Sequence, residues 1–158
     1  MGFLSAIKAL SIAWSRKQAR RVFPCKGCTH NCCTGRHNSM KMTRLEAEQI
    51  WAWLGPVQRK RFVEKARQVI ADHRLDKDPG RHYRCPFLTE GSRCSLSAQV
   101  RPLACLSFYP DDNGDCYIPE GRHDRQFQAL MDANRKKYGR AKILPIPLWL
   151  ARMARRDA

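Results

Sequence analysis

The sequence contains no apolar run near the ~18 residues that a membrane-spanning helix needs. It also lacks the features of an export signal, because no basic region precedes the apolar start, and Arg16 and Lys17 follow where a small-residue cleavage site is required. N-myristoylation is not expected, since Ala6 occupies a position that requires Ser or Thr. These absences predict a cytoplasmic protein with no transmembrane segment.

Several catalytic motifs are missing as well. We find no P-loop, no dinucleotide-binding fingerprint, no hydrolase elbow and no His-Glu-x-x-His zinc-protease motif. The chain also has no internal repeat. The sequence therefore does not indicate a reaction, and whether the protein is an enzyme stays open.

Acidic residues are scarce: 14 Asp and Glu stand against 30 Lys and Arg, which leaves a formal net charge of +16. Basic stretches are spread along the chain, at Arg16 to Arg21, Arg59 to Arg67, Arg135 to Lys142 and Arg152 to Arg156. One interpretation is a solvated surface whose charge is partly offset by metal-bound thiolates. The other is an anionic partner such as nucleic acid, another polyanion or a lipid surface. A protein partner is also compatible with this surface.

A length of 158 residues suits one small domain. We divide it into an N-terminal amphipathic basic helix (1–22), a cysteine-cluster metal-binding domain (23–120) and a C-terminal helical extension packed on that domain (121–158). The predicted fold is mainly α, with irregular, metal-organised, cysteine-rich loops and at most short β strands.

Local signals locate the later helices. Thr43-Arg44-Leu45-Glu46 is a capping box that starts a helix, and Gly55-Pro56 separates it from a second helix that runs to about His73. Asp124 and Gly139 bracket a third helix, and Pro145 to Ala154 predict a short last one.

Residues 76–119 show no usable helical or strand period, which is improbable in a compact domain unless something else fixes them. Metal–thiolate bonds would do so. Two short strands are possible within this segment, at Leu103 to Tyr109 and at Cys116 to Ile118, with an Asp-Asn-Gly turn between them.

The chain has eight cysteines, and four of them lie within nine positions. In a reducing compartment, metal ligation is favoured over a disulfide framework. Cys25 and Cys28 have the x2 spacing that turns two thiolates toward one ion. Cys32 and Cys33 are adjacent, so their side chains diverge and one of them is free to serve a second metal or fill space. The remaining candidate ligands are Cys85, Cys94, Cys105 and Cys116, and His30 lies inside the first cluster.

Eight thiols could form two four-thiolate zinc sites, or one iron–sulfur cluster with spare thiols. For iron, we expect a 4Fe–4S cluster. Arg101 and Pro102 precede Cys105, where the arginine can donate hydrogen bonds to sulfur and offset thiolate charge, although an ordinary surface salt bridge would also explain it.

In order, these motifs resemble those of the YkgJ-type cysteine-cluster family, which is described as zinc- or iron-chelating. The resemblance covers about residues 24–110 and rests on Cys25-x2-Cys28-x3-Cys32-Cys33, Thr43-Arg44-Leu45-Glu46-Ala47, Cys85-Pro86-Phe87-Leu88, Cys94, and Arg101-Pro102-x2-Cys105-x2-Phe108-x-Pro110. It implies metal binding through Cys25, Cys28, Cys32, Cys85, Cys94 and Cys105.

Three classes of function fit these features: a metal-binding module with a basic surface for a partner, an iron–sulfur redox or accessory protein, and a metal-dependent enzyme. Ligation by thiolates alone favours the first over the third, because catalytic zinc usually keeps a coordination position open for water.

Overall fold

The structure is a computed structural model that describes residues 2–9, 33–34, 38–90, 93–107, 109–110, 116–117, 121, 123–140 and 142–157. The fold is mainly helical with short strands, as predicted. Residues 3–9 are helical and form α1. The other elements are, in chain order, β1 (Lys41–Thr43), α2 (Arg44–Trp53), α3 (Pro56–His73), α4 (Leu103–Leu106), β2 (Tyr109–Pro110), β3 (Cys116–Tyr117), α5 (Asp124–Tyr138), β4 (Ile143–Pro145) and α6 (Ile146–Arg156).

The helix boundaries follow the local signals in the sequence. The Thr43 side chain accepts from the Glu46 amide while Glu46 accepts from the Thr43 amide, so the capping box is confirmed. Pro56 opens α3, where a missing amide proton costs nothing. At the far end of α5, Gly139 adopts a φ of 79° that disfavours any residue with a Cβ, and the helix stops there.

Helices α2, α3 and α6 pack together and enclose most of the core. Ile50 of α2, Ala66 of α3 and Leu150 of α6 are fully or almost fully buried. Phe62 of α3 meets Phe87, with 4.7 Å between ring centroids. This aromatic contact joins the helices to the non-helical segment that follows α3.

Two short antiparallel sheets complete the fold. Strand β1 pairs with β4, with Met42 opposite Leu144, and the indole nitrogen of Trp149 donates to the Met42 carbonyl oxygen at 2.8 Å. The sequence did not predict this sheet, because three-residue strands about a hundred positions apart have no measurable period. Strand β2 pairs with β3 near the predicted hairpin, with Tyr109 opposite Tyr117.

One predicted element needs correction. Leu103–Leu106 was expected to begin a strand but forms the helical turn α4. Pro102 precedes this turn, and the Leu106 amide donates back to the Pro102 carbonyl oxygen at 3.2 Å. The predicted N-terminal helix is present over residues 3–9, and its continuation lies outside the described residues. Within the described residues, no helix is both long and apolar enough to cross a membrane.

Candidate metal centre

The structure describes the side chains of half of the predicted cysteine ligands. Cys33, Cys85, Cys94 and Cys105 are described in full. Cys116 is described only through its backbone, in β3. Cys25, Cys28 and Cys32, which belong with Cys33 to the first predicted cluster, lie outside the described residues, and so does His30.

Backbone hydrogen bonds hold Cys33 beside Cys85. The Cys85 amide donates to the Cys33 carbonyl oxygen at 2.9 Å, and the Tyr83 amide donates to the Asn38 carbonyl oxygen at 2.8 Å. These bonds place Cys33 beside Cys85 and Asn38 beside Tyr83, although some fifty positions separate the members of each pair in the chain. Cys33, the last cysteine of the first cluster, is thereby fixed next to Cys85.

Cys94 lies on a small hairpin that starts just after Cys85. The Ser95 amide donates to the Phe87 carbonyl oxygen and the Thr89 amide to the Arg93 carbonyl oxygen, both at 2.9 Å. Leu88 and Cys94 form the bridge between the two arms. This pairing explains how a segment without apolar period keeps a defined backbone, since its polar groups are satisfied locally.

The position of Cys105 is set by a buried carboxylate on another helix. Cys105 belongs to α4, and the amide of Leu103 at the start of α4 donates to Glu46 Oε1 at 2.7 Å. The other carboxylate oxygen accepts from the backbone amide and the hydroxyl of Thr43, at 2.9 and 3.0 Å. Glu46 therefore caps α2 and anchors α4 at once. A buried carboxylate needs such donors, because it has lost its water.

Tyr83 lies at the meeting point of these segments and is completely buried. Its hydroxyl donates to the Met40 carbonyl oxygen and accepts from the Ile146 amide at 3.2 Å. Burial raises the pKa of Tyr83 well above its usual value, and negative charge on Cys85, Cys105 and Cys33 raises it further. Tyr83 thus joins the segment before β1 to the start of α6.

A buried cation, Lys8, bonds to residues of two other segments. Lys8 of α1 is 1% exposed, and its amine donates to Gln49 Oε1 at 2.6 Å and to the Val100 carbonyl oxygen at 3.3 Å. Burial lowers the pKa of Lys8 to about 8, although the negative charges of Glu46 and Cys105 act in the opposite direction. A cationic Lys8 would stabilise a thiolate at Cys105.

The contact made by Arg101 is with backbone. Its Nε donates to the Leu96 carbonyl oxygen at 3.1 Å, which ties the end of the Cys94 hairpin to the start of α4. The predicted hydrogen bond from Arg101 to a thiolate stays a prediction.

Within the described residues, no three His, Cys, Asp or Glu side chains lie close enough together to hold one metal ion. The predicted centre also needs Cys25, Cys28 and Cys32, which are outside that part of the chain. The donors that are described are cysteine sulfurs, which are the ligands that soft metals prefer.

Lys8, Glu46 and Tyr83 organise this region, but the sequence does not mark them as residues that do so. Lys8 lies in the predicted N-terminal amphipathic basic helix, where lysine is normally solvated. Glu46 was recognised as a helix cap, but its bond to Leu103 spans 57 positions and has no local signal. Tyr83 stands in a segment without period, so nothing marked it as buried.

Comparisons with models of protein families, with curated proteins and with solved structures gave no match to this chain.

Proposed function

We propose that this protein binds a metal through cysteine thiolates, as the YkgJ-type cysteine-cluster family that its motifs resemble is described to do. The observation that supports the proposal best is the backbone hydrogen bond from the Cys85 amide to the Cys33 carbonyl oxygen at 2.9 Å, which joins two cysteine-bearing parts of the chain. Buried cysteines alone are commonplace. Cysteines brought side by side over some fifty positions are better explained by a shared ligand.

The ligands that would hold the metal are the six thiolates that the resemblance implies, at Cys25, Cys28, Cys32, Cys85, Cys94 and Cys105. Such donors suit Zn²⁺ or an iron–sulfur cluster, and a 4Fe–4S cluster if the metal is iron. Zinc would contribute folding free energy to the loops, whereas a cluster would add electron transfer. A metal-dependent enzyme is the third alternative, and it requires an open coordination position.

An anionic partner belongs to the same proposal. A net charge of +16 favours association with polyanions such as nucleic acid, through neutralisation of phosphates. Such association would be sensitive to salt and weakly selective for sequence.

Anaerobic purification followed by absorption spectroscopy and metal analysis tests the proposal. Broad visible absorption with iron and sulfide in the protein would identify a cluster, and a colourless protein with bound zinc would identify a structural site. A protein that carries neither metal, and takes up neither on reconstitution, would contradict metal binding.

Serine substitutions then assign the ligands. We expect Cys25→Ser, Cys28→Ser, Cys85→Ser and Cys105→Ser to lower the metal content per chain much more than Cys116→Ser. Cys33→Ser is the informative variant, because the Cys33 carbonyl oxygen accepts from the Cys85 amide although the resemblance does not make Cys33 a ligand. Equal losses in all variants would mean that the eight thiols form one cooperative assembly.

A further inference from the structure

A second feature of the molecule is a pocket of about 430 Å³ at the junction of α2, α5 and α6. Its buried base is formed by Trp149 and Met153 of α6, and Tyr138, the last residue of α5, forms one wall. Six cations complete the lining: Arg44, Arg140, Lys142, Arg152, Arg155 and Arg156.

Helical geometry explains why α6 contributes so much of this lining. Residues 149, 152, 153 and 156 are spaced by three, one and three positions, so they lie on one face of the helix. Apolar Trp149 and Met153 occupy the inner part of that face, and arginines occupy its outer part. The α5–β4 connection adds Arg140 and Lys142 from the opposite side.

Two of the arginines are held in place before any ligand arrives. Glu48 accepts from Arg44 at 3.1 Å and from Arg156 at 3.3 Å. The Arg44 guanidinium also lies 4.0 Å from the centroid of the Tyr138 ring, and the Tyr138 hydroxyl donates to Glu48. A preorganised guanidinium loses less side-chain entropy when it binds an anion.

The charge in the pocket is far from balanced. Glu48 is the carboxylate that forms ion pairs with lining residues. It also forms an ion pair at 3.1 Å with Lys137, which lies outside the pocket. Within the described part of the chain, no ion pair reaches the remaining cations, Arg140, Lys142, Arg152 and Arg155. Mutual repulsion among uncompensated cations is unfavourable, and an anion with several charges would relieve it.

We infer that this pocket binds an oligophosphate group, either as inorganic oligophosphate or as the phosphate tail of a nucleotide. Planar guanidinium groups match phosphate oxygens in pairs. The pocket volume falls within the range of about 300 to 1,000 Å³ that is typical of small-ligand sites. A nucleic acid backbone would instead favour cations along an extended track, because its charges are spaced along the strand. This inference does not depend on the metal proposal.

The test is calorimetric titration of the full chain at low salt with inorganic phosphate, tripolyphosphate, a nucleoside triphosphate and duplex DNA. We expect tripolyphosphate to bind much more tightly than phosphate. Equal affinity for tripolyphosphate and the nucleoside triphosphate identifies the phosphate chain as the whole ligand, and tighter binding of the nucleotide shows that the nucleoside also contacts the site. Both results support the proposal.

A matched pair of double variants locates the binding. Arg140→Gln with Lys142→Gln removes two exposed cations from the pocket, and Lys60→Gln with Arg67→Gln removes two exposed cations from α3. Losing two charge-assisted contacts should weaken tripolyphosphate binding about tenfold or more in the pocket variant. The α3 variant should retain nearly all of the affinity.

Because these four side chains are exposed, both variants should fold, and circular dichroism checks this. Arg155→Gln provides a second, independent change within the pocket and should weaken binding in the same direction. Absence of tripolyphosphate binding at low salt, equal losses in the two double variants, or binding of duplex DNA alone would each overturn the inference.

Discussion

The helices and the cysteine-bearing segment of residues 83–107 bury side chains equally well, but they achieve it differently. Ile50 of α2 and Leu150 of α6 are buried as members of periodic apolar faces. Tyr83 and Phe87 are just as buried, although they lie outside the helices and strands. A side chain can therefore be buried outside a helix or strand, provided that the backbone N–H and C=O groups around it find other hydrogen-bond partners.

In the cysteine-bearing segment, side chains form many of the hydrogen bonds with backbone groups. Glu46 accepts from the Leu103 amide, Tyr83 bonds to Met40 and Ile146, and Arg101 donates to Leu96. In the helices, each backbone group instead finds its partner one turn away. The segment thus depends on contacts with distant residues, and we expect it to be the more easily disrupted of the two regions.

Complete removal of metal should produce the largest difference in stability between the helices and the cysteine-bearing segment. If the metal proposal holds, thiolate ligation contributes on the order of 10 kcal/mol to the local fold, as in small zinc domains. Chelation should then increase amide hydrogen exchange at Cys85 and Leu103 while the amides of α3 and α6 stay protected. Exchange measured by mass spectrometry before and after chelation checks this.

Return of the metal to the chelated protein is the control, and it should restore the original exchange pattern. An apo form with unchanged exchange and unchanged resistance to protease would show that the segment orders itself without metal.

Phe87→Ala should disrupt the junction between the two regions. Phe87 is fully buried and packs against the ring of Phe62 of α3 at a tilted angle, so its truncation leaves a large cavity. We expect a loss of about 3 to 5 kcal/mol in the free energy of unfolding. Phe3→Ala is the matched control, because Phe3 is 58% exposed, and its effect should stay within about 0.5 kcal/mol. Urea denaturation measures both, and similar losses would contradict the central position of Phe87.

The sequence predicted the helices well because their signals are local. A capping box, a Gly-Pro break and a terminal glycine each act within about four residues, and α2, α3 and α5 begin and end close to where these signals lie. The β1–β4 sheet and the turn α4 could not be predicted in this way. The sheet depends on a distant partner, and α4 depends on Pro102 and on the carboxylate of Glu46.

The candidate metal centre shows the same difference between local signals and contacts between distant residues. Spacing within one cluster is visible in the sequence, so Cys25 and Cys28 are recognisable as a pair. The proximity of Cys33 to Cys85 is visible only in the fold, since it depends on the hydrogen bonds from the Cys85 amide to Cys33 and from the Tyr83 amide to Asn38. The pocket cations likewise appeared in the sequence as separate basic stretches, and only the packing of α2, α5 and α6 joins them.

Tyr83→Phe tests the hydrogen bonds that hold the cysteine-bearing segment, and it does so without making a cavity. The change deprives the Ile146 amide and the Met40 carbonyl of a buried partner, which should cost about 1 to 3 kcal/mol. Tyr138→Phe is the matched control, since its hydroxyl bonds to Glu48 near the surface and should contribute less than about 1 kcal/mol. Thermal or urea denaturation compares the two, and an equal or smaller loss at Tyr83 would mean that water replaces its contacts.

The smallest effect should come from Glu48→Gln, on the helical side of the comparison. Burial raises the pKa of Glu48, but hydrogen bonds from Tyr138, Lys137 and Arg44 outweigh it and lower the pKa from 4.5 to about 2. Because the folded pKa is the lower one, the carboxylate stabilises the fold fully above pH 4.5, and this contribution is lost as the pH falls toward 2. The stability difference between wild type and Glu48→Gln should therefore be greatest at neutral pH and shrink across that window. Glu64→Gln, which removes an exposed carboxylate of α3, should show little of this dependence. A difference that stays constant or grows on acidification would show that the ionised form of Glu48 is not what stabilises this junction.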